Sequence, residues 1–316
     1  MAIFKDYLEN KSPLILHGAL GTEMESLGYN ISGKLWSAKY LLEKPEVIQK
    51  IHETYVAAGA DLITTSSYQA TLPGLIDAGL TKEEAEQIIA LTVQLAKDAR
   101  DKVWATLDHS EKAKRPYPLI SGDVGPYAAY LANGSEYTGD YGQITIEALK
   151  EFHRPRIQIL LDHGVDLLAL ETIPNHLEAQ ALIELLAEEF PEAEAYISFT
   201  VQEPGTISDG TSLDEIAQLV SQSDQILALG INCSSPLLYN QALTILKNAG
   251  KALITYPNSG EVYDGSTQTW KPKDKDALTL VEHSKDWHAQ FGVKILGGCC
   301  RTRPNDIKAL YTEFRT

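Results

Sequence analysis

Residues 226–233 read Ile-Leu-Ala-Leu-Gly-Ile-Asn-Cys, a short apolar run that ends in Asn and Cys. A run of this kind is typical of a β-strand that is buried on both faces, as the strands of parallel sheets are. Seven more apolar runs of similar length occur along the chain. The eight predicted strands are Leu14–His17, Leu62–Thr65, Leu119–Gly122, Leu167–Leu170, Ala195–Thr200, Ile226–Ile231, Leu253–Tyr256 and Val293–Leu296.

Stretches with apolar residues at helical spacing separate these strands, for example Glu84–Ala99, Leu177–Glu189 and Leu237–Ala249. Such alternation predicts an α/β protein with a parallel sheet and covering helices. Eight units in 316 residues favour closure into a (β/α)8 TIM barrel, with a single domain over residues 1–316. The alternative is an open doubly wound sheet, although residues 17–22, after the first strand, lack the Gly-x-Gly-x-x-Gly spacing of a dinucleotide site.

The composition indicates a folded and strongly acidic protein. Hydrophobic residues make up 44% and charged residues 22% of the chain, which is enough apolar material for a large core. The formal net charge of −16 repels phosphate backbones and anionic lipids, so neither nucleic acid nor a membrane is expected as a partner. Residues 1–11 lack the apolar core of a signal peptide. Because three cysteines are also a poor disulfide framework, we expect a cytoplasmic protein with reduced thiols.

All three cysteines are predicted to lie at one end of the barrel. The sixth strand runs into Cys233, and the eighth runs through Gly297-Gly298 into Cys299 and Cys300. The carboxyl ends of barrel strands meet at one mouth, where active sites lie. Successive side chains in a strand point to opposite faces. Beyond the strand end, however, the glycine pair gives the backbone the freedom to turn the adjacent cysteines toward one point.

Three thiolates from two strands, with a fourth position open, are typical of a catalytic zinc site. Sulfur ligands favour Zn²⁺ over Mg²⁺ or Mn²⁺. The alternatives are cysteines that pack as small core residues and a vicinal disulfide between Cys299 and Cys300. Three thiolates leave the zinc site with a net charge of about −1, so the metal generates hydroxide poorly but still deprotonates an incoming thiol. The pattern therefore indicates thiol chemistry rather than hydrolysis.

Several longer motifs accompany the cysteines. They are Gly-Ile-Asn-Cys at 230–233, Gly-Gly-Cys-Cys-Arg-Thr at 297–302, Leu-Ala-Leu-Glu-Thr at 168–172, Thr-Thr-Ser-Ser-Tyr-Gln-Ala-Thr at 64–71 and Tyr-Pro-Asn-Ser-Gly-Glu at 256–261. Together they resemble the homocysteine S-methyltransferase family, and the similarity runs essentially end to end. Gly-Asp-Val-Gly-Pro-Tyr at 122–127, with residues 133–137 and 139–141, most resembles the branch that uses S-methylmethionine or S-adenosylmethionine.

The resemblance implies a (β/α)8 barrel that holds Zn²⁺ on Cys233, Cys299 and Cys300. Homocysteine would enter as the fourth ligand and bind as a thiolate. Its sulfur would attack the methyl group of a sulfonium donor in line, which yields methionine. A sulfonium is already an activated leaving group, so the enzyme mainly supplies a thiolate and correct alignment. Direct transfer between two bound small molecules is expected.

By the same resemblance, Glu171 would bind the ammonium group of homocysteine, unless it is a surface residue that caps a helix. An acidic mouth with Glu171 and Asp123 would suit a cationic donor, and Tyr127 and Tyr130 are candidates for cation–π contact with it, unless they simply pack. Asn and Thr side chains at strand ends also often form hydrogen bonds with the backbone of nearby loops, which is the alternative role for such residues. Further candidates for contact with the substrate are Gly18, Thr65, Ser67, Asn232 and Asn258.

One position departs from the family pattern. The family usually has Asp-Gly at the end of the first strand, whereas this chain has His17-Gly18. The missing carboxylate would normally help Glu171 to hold the ammonium group. His17 would instead meet the substrate carboxylate, or hydrogen-bond Glu171 and orient it, or be purely structural.

Two functions of other classes remain as alternatives. A zinc hydrolase on the same barrel is disfavoured by three cysteine ligands and by the lack of an evident histidine base. A non-catalytic protein that senses homocysteine through zinc would bind the same thiol but would never form methionine.

Overall fold

The computed structural model describes residues 3–33, 35–264, 269–271 and 278–315. Eight parallel strands form its main sheet, and each overlaps one of the predicted strands. The strands are β1 (Leu14–Ile15), β2 (Leu62–Thr64), β3 (Leu119–Val124), β4 (Leu167–Ile173), β5 (Ala195–Phe199), β6 (Ile226–Asn232), β7 (Ala252–Tyr256) and β10 (Ile295–Leu296). Between β7 and β10, β8 (Val262–Asp264) and β9 (Thr269–Lys271) form a separate antiparallel pair.

The hydrogen-bonded order of the main sheet is β1-β10-β7-β6-β5-β4-β3-β2. Every neighbouring pair in this order is parallel. The two ends of the order meet at a bridge between Leu16 and Leu62. There the backbone amide of His17 donates to the carbonyl of Leu62 at 3.2 Å. The sheet therefore closes into a (β/α)8 barrel, which confirms the prediction, and the open-sheet alternative is wrong.

Helices cover the outside of the barrel and connect its strands. They are α1 (Ile3–Leu8), α2 (Leu20–Ser26), α3 (Lys39–Glu43), α4 (Pro45–Ala58), α5 (Leu72–Asp77), α6 (Lys82–Thr106), α7 (His109–Lys112), α8 (Tyr127–Leu131), α9 (Ile146–Asp162), α10 (His176–Glu189), α11 (Leu213–Ser221), α12 (Tyr239–Leu246), α13 (Leu280–Phe291) and α14 (Pro304–Arg315). In the described ranges, no helix has an apolar stretch long enough to cross a bilayer.

The side chains of the barrel strands alternate between the interior and the helix layer. In β4, Leu167 and Ala169 belong to the inner apolar cluster, whereas Leu168 and Leu170 pack in the outer one. Phe4 of α1 joins the inner cluster with no exposed surface. The interior thus has an apolar floor, closed at the amino-terminal end of the strands.

Above this floor the interior becomes polar. Thr64 of β2 and Ser121 of β3 share a buried hydrogen bond of 3.0 Å. The strands β3 and β4 both extend beyond their predicted ends, and Asp123 and Glu171 are strand residues. The prediction ended both strands early because it took apolar composition as the mark of a strand, whereas this part of the inner face lines a cavity.

Gly59 ends α4 and allows the helix to pack on α14. It adopts φ = +109°, and a Cβ atom placed there would lie 2.3 Å from Cγ of Tyr311. That atom is the root of the ring, so the ring cannot simply rotate away. Gly79 has nearly the same backbone angle, φ = +101°, but no atom lies within 4 Å of its hypothetical Cβ.

We predict that Gly79→Ala lowers the free energy of unfolding by about 1–2 kcal/mol, because alanine disfavours the left-handed conformation. Gly59→Ala should lower it by a further 1–3 kcal/mol, roughly the range for overpacking a well-filled contact. Urea denaturation of both variants measures the difference. Equal destabilisation would show that the contact with Tyr311 does not constrain the fold.

Candidate active site at the carboxyl ends of the strands

A cavity of about 910 Å³ opens at the carboxyl ends of the barrel strands. Strand ends and the loops that follow them form its wall, as the barrel fold predicts for an active site. Side chains predicted from the sequence as site residues converge here. They include His17, Thr65, Asp123, Glu171, Cys233 and Cys300.

The three cysteines form one cluster in the wall of this cavity. Their sulfur atoms all lie within 4.8 Å of one another, a grouping that could hold a metal ion. The Sγ atoms of Cys233 and Cys300 are 3.6 Å apart. All three cysteines are free and partly buried, so the vicinal disulfide between Cys299 and Cys300 is absent from this structure.

The backbone around the cysteines differs in one respect from the prediction. Gly297 and Gly298 do not adopt left-handed angles; the left-handed residues are Cys233, with φ = +48°, and Arg301, with φ = +67°. The glycines instead permit close approach, because a Cβ at Gly298 would lie 2.4 Å from the Thr302 hydroxyl. The turn therefore depends on small residues packed against it as well as on backbone freedom.

The thiol cluster concentrates negative charge on one sulfur. The pKa of Cys300 is held well below its usual value by hydrogen bonds from the thiols of Cys233 and Cys299, and the Arg301 guanidinium lowers it further. The same interactions with Cys233 and Cys300, together with burial, raise the pKa of Cys299 well above its usual value. A cation that binds all three sulfurs would have to displace the remaining thiol protons.

Glu171 reaches the cavity from a bulge in β4. The register of β4 against β5 shifts between Leu170 and Ile173, and a bulge of this kind re-aims side chains. The Tyr256 hydroxyl donates to Glu171 Oε2 at 3.2 Å. Burial raises the pKa of Glu171 to about 7, although the hydrogen bond from Tyr256 opposes the shift, and the charge of Cys300 adds to it.

Asn232, the last residue of β6, contacts the bulge of β4. Its side-chain Oδ1 accepts from the backbone amide of Thr172 at 3.0 Å, and its Nδ2 donates to the Thr172 hydroxyl at 2.8 Å. Thr172 has φ = +64°, which is a strained conformation for a β-branched residue. The Asn232 amide thus holds the bulge that carries Glu171, a role in which both ends of its amide are already used.

The side chains of Thr65 and Ser67 also form hydrogen bonds with the backbone. Thr65 Oγ1 accepts from the Asp123 amide at 2.9 Å, and the Ser67 hydroxyl donates to the Asp123 carbonyl at 2.7 Å. The two hydroxyls lie 2.8 Å apart. Thr65 borders the cavity, whereas Ser67 is fully buried beside it. These side chains fix the position of Asp123 at the end of β3.

His17 lines the cavity next to Gly18. Its Nδ1 hydrogen-bonds the Gly18 carbonyl rather than Glu171. Because a carbonyl oxygen only accepts, Nδ1 carries the proton and Nε2 is left as an acceptor. Burial lowers the pKa of His17 to about 4, so the ring is neutral at pH 7. A neutral ring with an acceptor at Nε2 suits an ammonium group better than the carboxylate suggested by the sequence.

The remaining predicted contacts lie away from the cavity wall. The rings of Tyr127 and Tyr130 pack against each other and against Phe152, and the Tyr130 hydroxyl donates to Asp77. Both tyrosines belong to α8 and pack against Phe152 of α9 in this structure. Asn258 follows β7, and its buried Oδ1 has no hydrogen-bond partner among the described residues.

Aromatic residues that were not among the predicted contacts also line the cavity, and two of them lie in loops. Trp36 lies between α2 and α3, and Tyr137 lies in the loop after α8. Loop residues carry no periodic pattern, so only their place after a strand could have pointed to them. Glu25 and Glu136 border the same cavity, which makes its wall both aromatic and acidic.

Comparison with known proteins places this architecture in a family. The family described as Homocysteine S-methyltransferase matches residues 14–314. Homocysteine S-methyltransferase YbgG of Bacillus subtilis is 45% identical over 305 residues, which cover 96% of this chain and 95% of that protein. Homocysteine S-methyltransferase of Escherichia coli K12 is 43% identical over 309 residues, with 96% of each chain covered. The metallated form of the Escherichia coli homocysteine methyltransferase MmuM superimposes with a TM-score of 0.85 at 41% identity, and 98% of each chain is covered.

We predict that Asn232→Ala destabilises the protein by about 1–3 kcal/mol, because it leaves the buried Thr172 amide without an acceptor. Thr172→Ser is the matched control, since it keeps the amide and hydroxyl that Asn232 binds and removes only a methyl group. Urea unfolding of both variants provides the measurement. If Thr172→Ser is as damaging as Asn232→Ala, packing rather than the hydrogen-bond pair holds the bulge.

Proposed function

The chain belongs to the homocysteine S-methyltransferase family, and on that premise we propose that it uses zinc to transfer a methyl group from a sulfonium donor to homocysteine. The donor is S-methylmethionine or S-adenosylmethionine, and the product is methionine. The observation that carries the proposal is the convergence of three thiols and the partly buried Glu171 on one cavity. Residues 1–316 act in it as one homocysteine-binding barrel domain.

The cysteine cluster fits a zinc ion in both donor chemistry and size. A tetrahedral zinc with bonds of about 2.3 Å separates its sulfur ligands by roughly 3.8 Å, and the Sγ atoms of Cys233 and Cys300 are 3.6 Å apart. Soft thiolates select zinc over harder divalent cations. A solved relative, the Escherichia coli methyltransferase MmuM, is known in a metallated form. Cys233, Cys299 and Cys300 would hold the ion here.

Zinc held by three thiolates would supply acidification of the homocysteine thiol while leaving its sulfur nucleophilic. The chain's own residues supply the orientation. The bulge and Tyr256 fix the position of Glu171. The ionised carboxylate of Glu171 binds the substrate ammonium. The sulfur and amino ends of homocysteine then have separate anchors, which restricts the sulfur to one direction of attack.

The outer wall of the cavity suits a sulfonium donor. Trp36 and Tyr137 offer aromatic faces, and Glu25 and Glu136 offer negative charge. Both features attract a cation, and they take the place of the contact predicted for Tyr127 and Tyr130. The homocysteine sulfur forms a bond to the methyl carbon as the bond to the sulfonium sulfur breaks. The donor leaves as a neutral thioether and needs no general acid.

A cytoplasmic location is part of the same proposal. The three cysteines are free, and a reducing cytoplasm keeps such thiols available for metal. The hydrolase alternative is disfavoured by the donor set, because zinc held by three thiolates would be a poor generator of hydroxide.

We predict that the zinc-loaded protein forms methionine from homocysteine with S-methylmethionine or S-adenosylmethionine, and far less with betaine. Methionine is counted, and zinc is assayed in the same sample. Cys299→Ala should lose zinc and turnover together, because two thiolates hold the ion much less tightly. An unchanged urea midpoint of the metal-free variant controls for folding.

Two results would contradict this proposal. One is a protein with about one zinc per chain that forms no methionine from either sulfonium donor. The other is water-dependent cleavage of an ester or amide by the same zinc-loaded sample, which would favour the hydrolase. If the protein in the first result also binds homocysteine and forms no product from any donor, the sensor is favoured.

The ionisation of Glu171 gives a pH dependence. Because the ionised carboxylate binds the ammonium and its pKa is raised to about 7, kcat/KM for homocysteine should rise with pH up to about 7 and then level off. Glu171→Gln should remove this step and lower kcat/KM about tenfold to hundredfold, as the loss of a charged hydrogen bond does.

Tyr256→Phe also tests whether the pH step belongs to Glu171, because it should shift the midpoint without removing the step. The Tyr256 hydroxyl stabilises the ionised form of Glu171, so its removal should move the midpoint of the pH profile upward. A midpoint that stays in place in both variants would assign the pH step to another group.

A further inference from the structure

The carboxyl group of Asp123 has no role in the reaction proposed above. Its side chain is 4% exposed and lines the same cavity as Glu171. Its Oδ1 atom is buried without a hydrogen-bond partner in the described part of the chain. Thr65 and Ser67 bind the backbone of Asp123 on both sides. The carboxyl group is therefore held in place beside the cavity, with an acceptor that no neighbour uses.

Arg156 acts on this carboxyl through its charge but makes no hydrogen bond to it within the ranges that the structure describes. The charge of Arg156 acts on Asp123, but the Arg156 guanidinium donates to the backbone carbonyls of Ser67, Tyr68 and Gly125. A buried carboxylate without a partner is unfavourable for folding. A group kept in such a position is a candidate for binding a ligand.

We propose that Asp123 binds the ammonium group of homocysteine together with Glu171, so that the amino end of the substrate sits between two carboxyls. This inference rests on the proposed function, because it takes homocysteine as the substrate. Asp123 lies on β3 and Glu171 on the adjacent β4, where Asp123 pairs with Ala169, two residues before Glu171. Both residues line the cavity, so the two carboxyls come from adjacent strands to one site.

An ammonium group fits the two carboxyls better than a sulfonium does. An ammonium has three N–H donors, enough for the unused Asp123 Oδ1 and for Glu171, whose Oε2 already accepts from Tyr256. A sulfonium has no N–H, so it would leave the Asp123 acceptor unsatisfied. Burial raises the pKa of Asp123, and the negative charge of Glu171 raises it further. A cation between the two carboxyls would remove their mutual repulsion.

The end of β1 explains why a second carboxyl is needed on this side of the barrel. His17 stands there, and its buried ring is neutral at pH 7. The ring can offer the ammonium group a hydrogen-bond acceptor, but it carries no negative charge. Asp123 then supplies the negative charge that the β1 end of this chain does not.

The test compares two thiols on the zinc-loaded protein by isothermal titration calorimetry: homocysteine and 4-mercaptobutanoic acid, which lacks only the amino group. Asp123→Asn should weaken homocysteine binding about 30-fold, which is the scale of a charged hydrogen bond. The same variant should leave the affinity for 4-mercaptobutanoic acid within about twofold of wild type. Asp123→Ser, with a smaller side chain, repeats the comparison if the asparagine disturbs packing.

A second measurement separates binding from structure. Replacement of a buried carboxyl whose Oδ1 atom has no hydrogen-bond partner should leave the ligand-free variant at least as resistant to urea as the wild type. A carboxyl with a structural task would make the variant less stable and would weaken both thiols alike, and that result overturns the inference. Unchanged homocysteine affinity, or an effect only on KM for the sulfonium donor, overturns it as well.

The two proposals fail in different ways. If the wild type binds homocysteine and forms methionine but Asp123→Asn changes neither thiol, only the role of Asp123 is wrong. If the wild type binds no homocysteine, the proposed function fails, and the assignment of Asp123 fails with it.

Discussion

Closure of a parallel sheet is the constraint on which the rest of this structure depends. All eight strands run in one direction, and the bridge between Leu16 and Leu62 joins the two ends of the sheet. Every strand must then end at the same mouth. This places Cys233 and Cys300, which are 67 residues apart in sequence, with their sulfur atoms 3.6 Å apart. The apolar floor below, sealed by Phe4, leaves the mouth as the natural place for polar chemistry.

Regular strands cannot by themselves aim the side chains that this chemistry needs, and the chain departs from regular geometry at the cavity. Among the described residues, every non-glycine residue with a left-handed φ lines it. They are Trp36, Ala132, Thr172, Cys233 and Arg301. Each such conformation is unfavourable in isolation by about 1–2 kcal/mol, so neighbouring contacts must hold it. The pair of hydrogen bonds between Asn232 and Thr172 is the clearest of these contacts. It connects β6, which leads into Cys233, with β4, which carries Glu171.

The barrel and the thiol cluster could be predicted from the sequence because both depend on position along strands. Apolar runs at regular intervals mark the strands, and residues that follow them must meet at the mouth. The hydrogen-bond partners of polar side chains were harder to predict from the sequence. Asn232 and Ser67 follow or border strands as substrate contacts would, yet they bind Thr172 and the Asp123 backbone. Tyr127 and Tyr130 pack with Phe152, whereas Trp36 reaches the cavity from a loop. Bulges and loop paths decide such contacts, and neither has a periodic signal in the sequence.

The central claim is that homocysteine lies with its sulfur at the cysteine cluster and its ammonium group at the carboxyls on β3 and β4. A crystal structure of the zinc-loaded protein with homocysteine tests it most directly. We expect the substrate sulfur to join Cys233, Cys299 and Cys300 at the metal, and the amino nitrogen to lie within hydrogen-bond distance of Glu171. A homocysteine bound in the opposite direction, with its carboxylate at the metal, would show that this binding mode is wrong, and so would one bound outside this cavity.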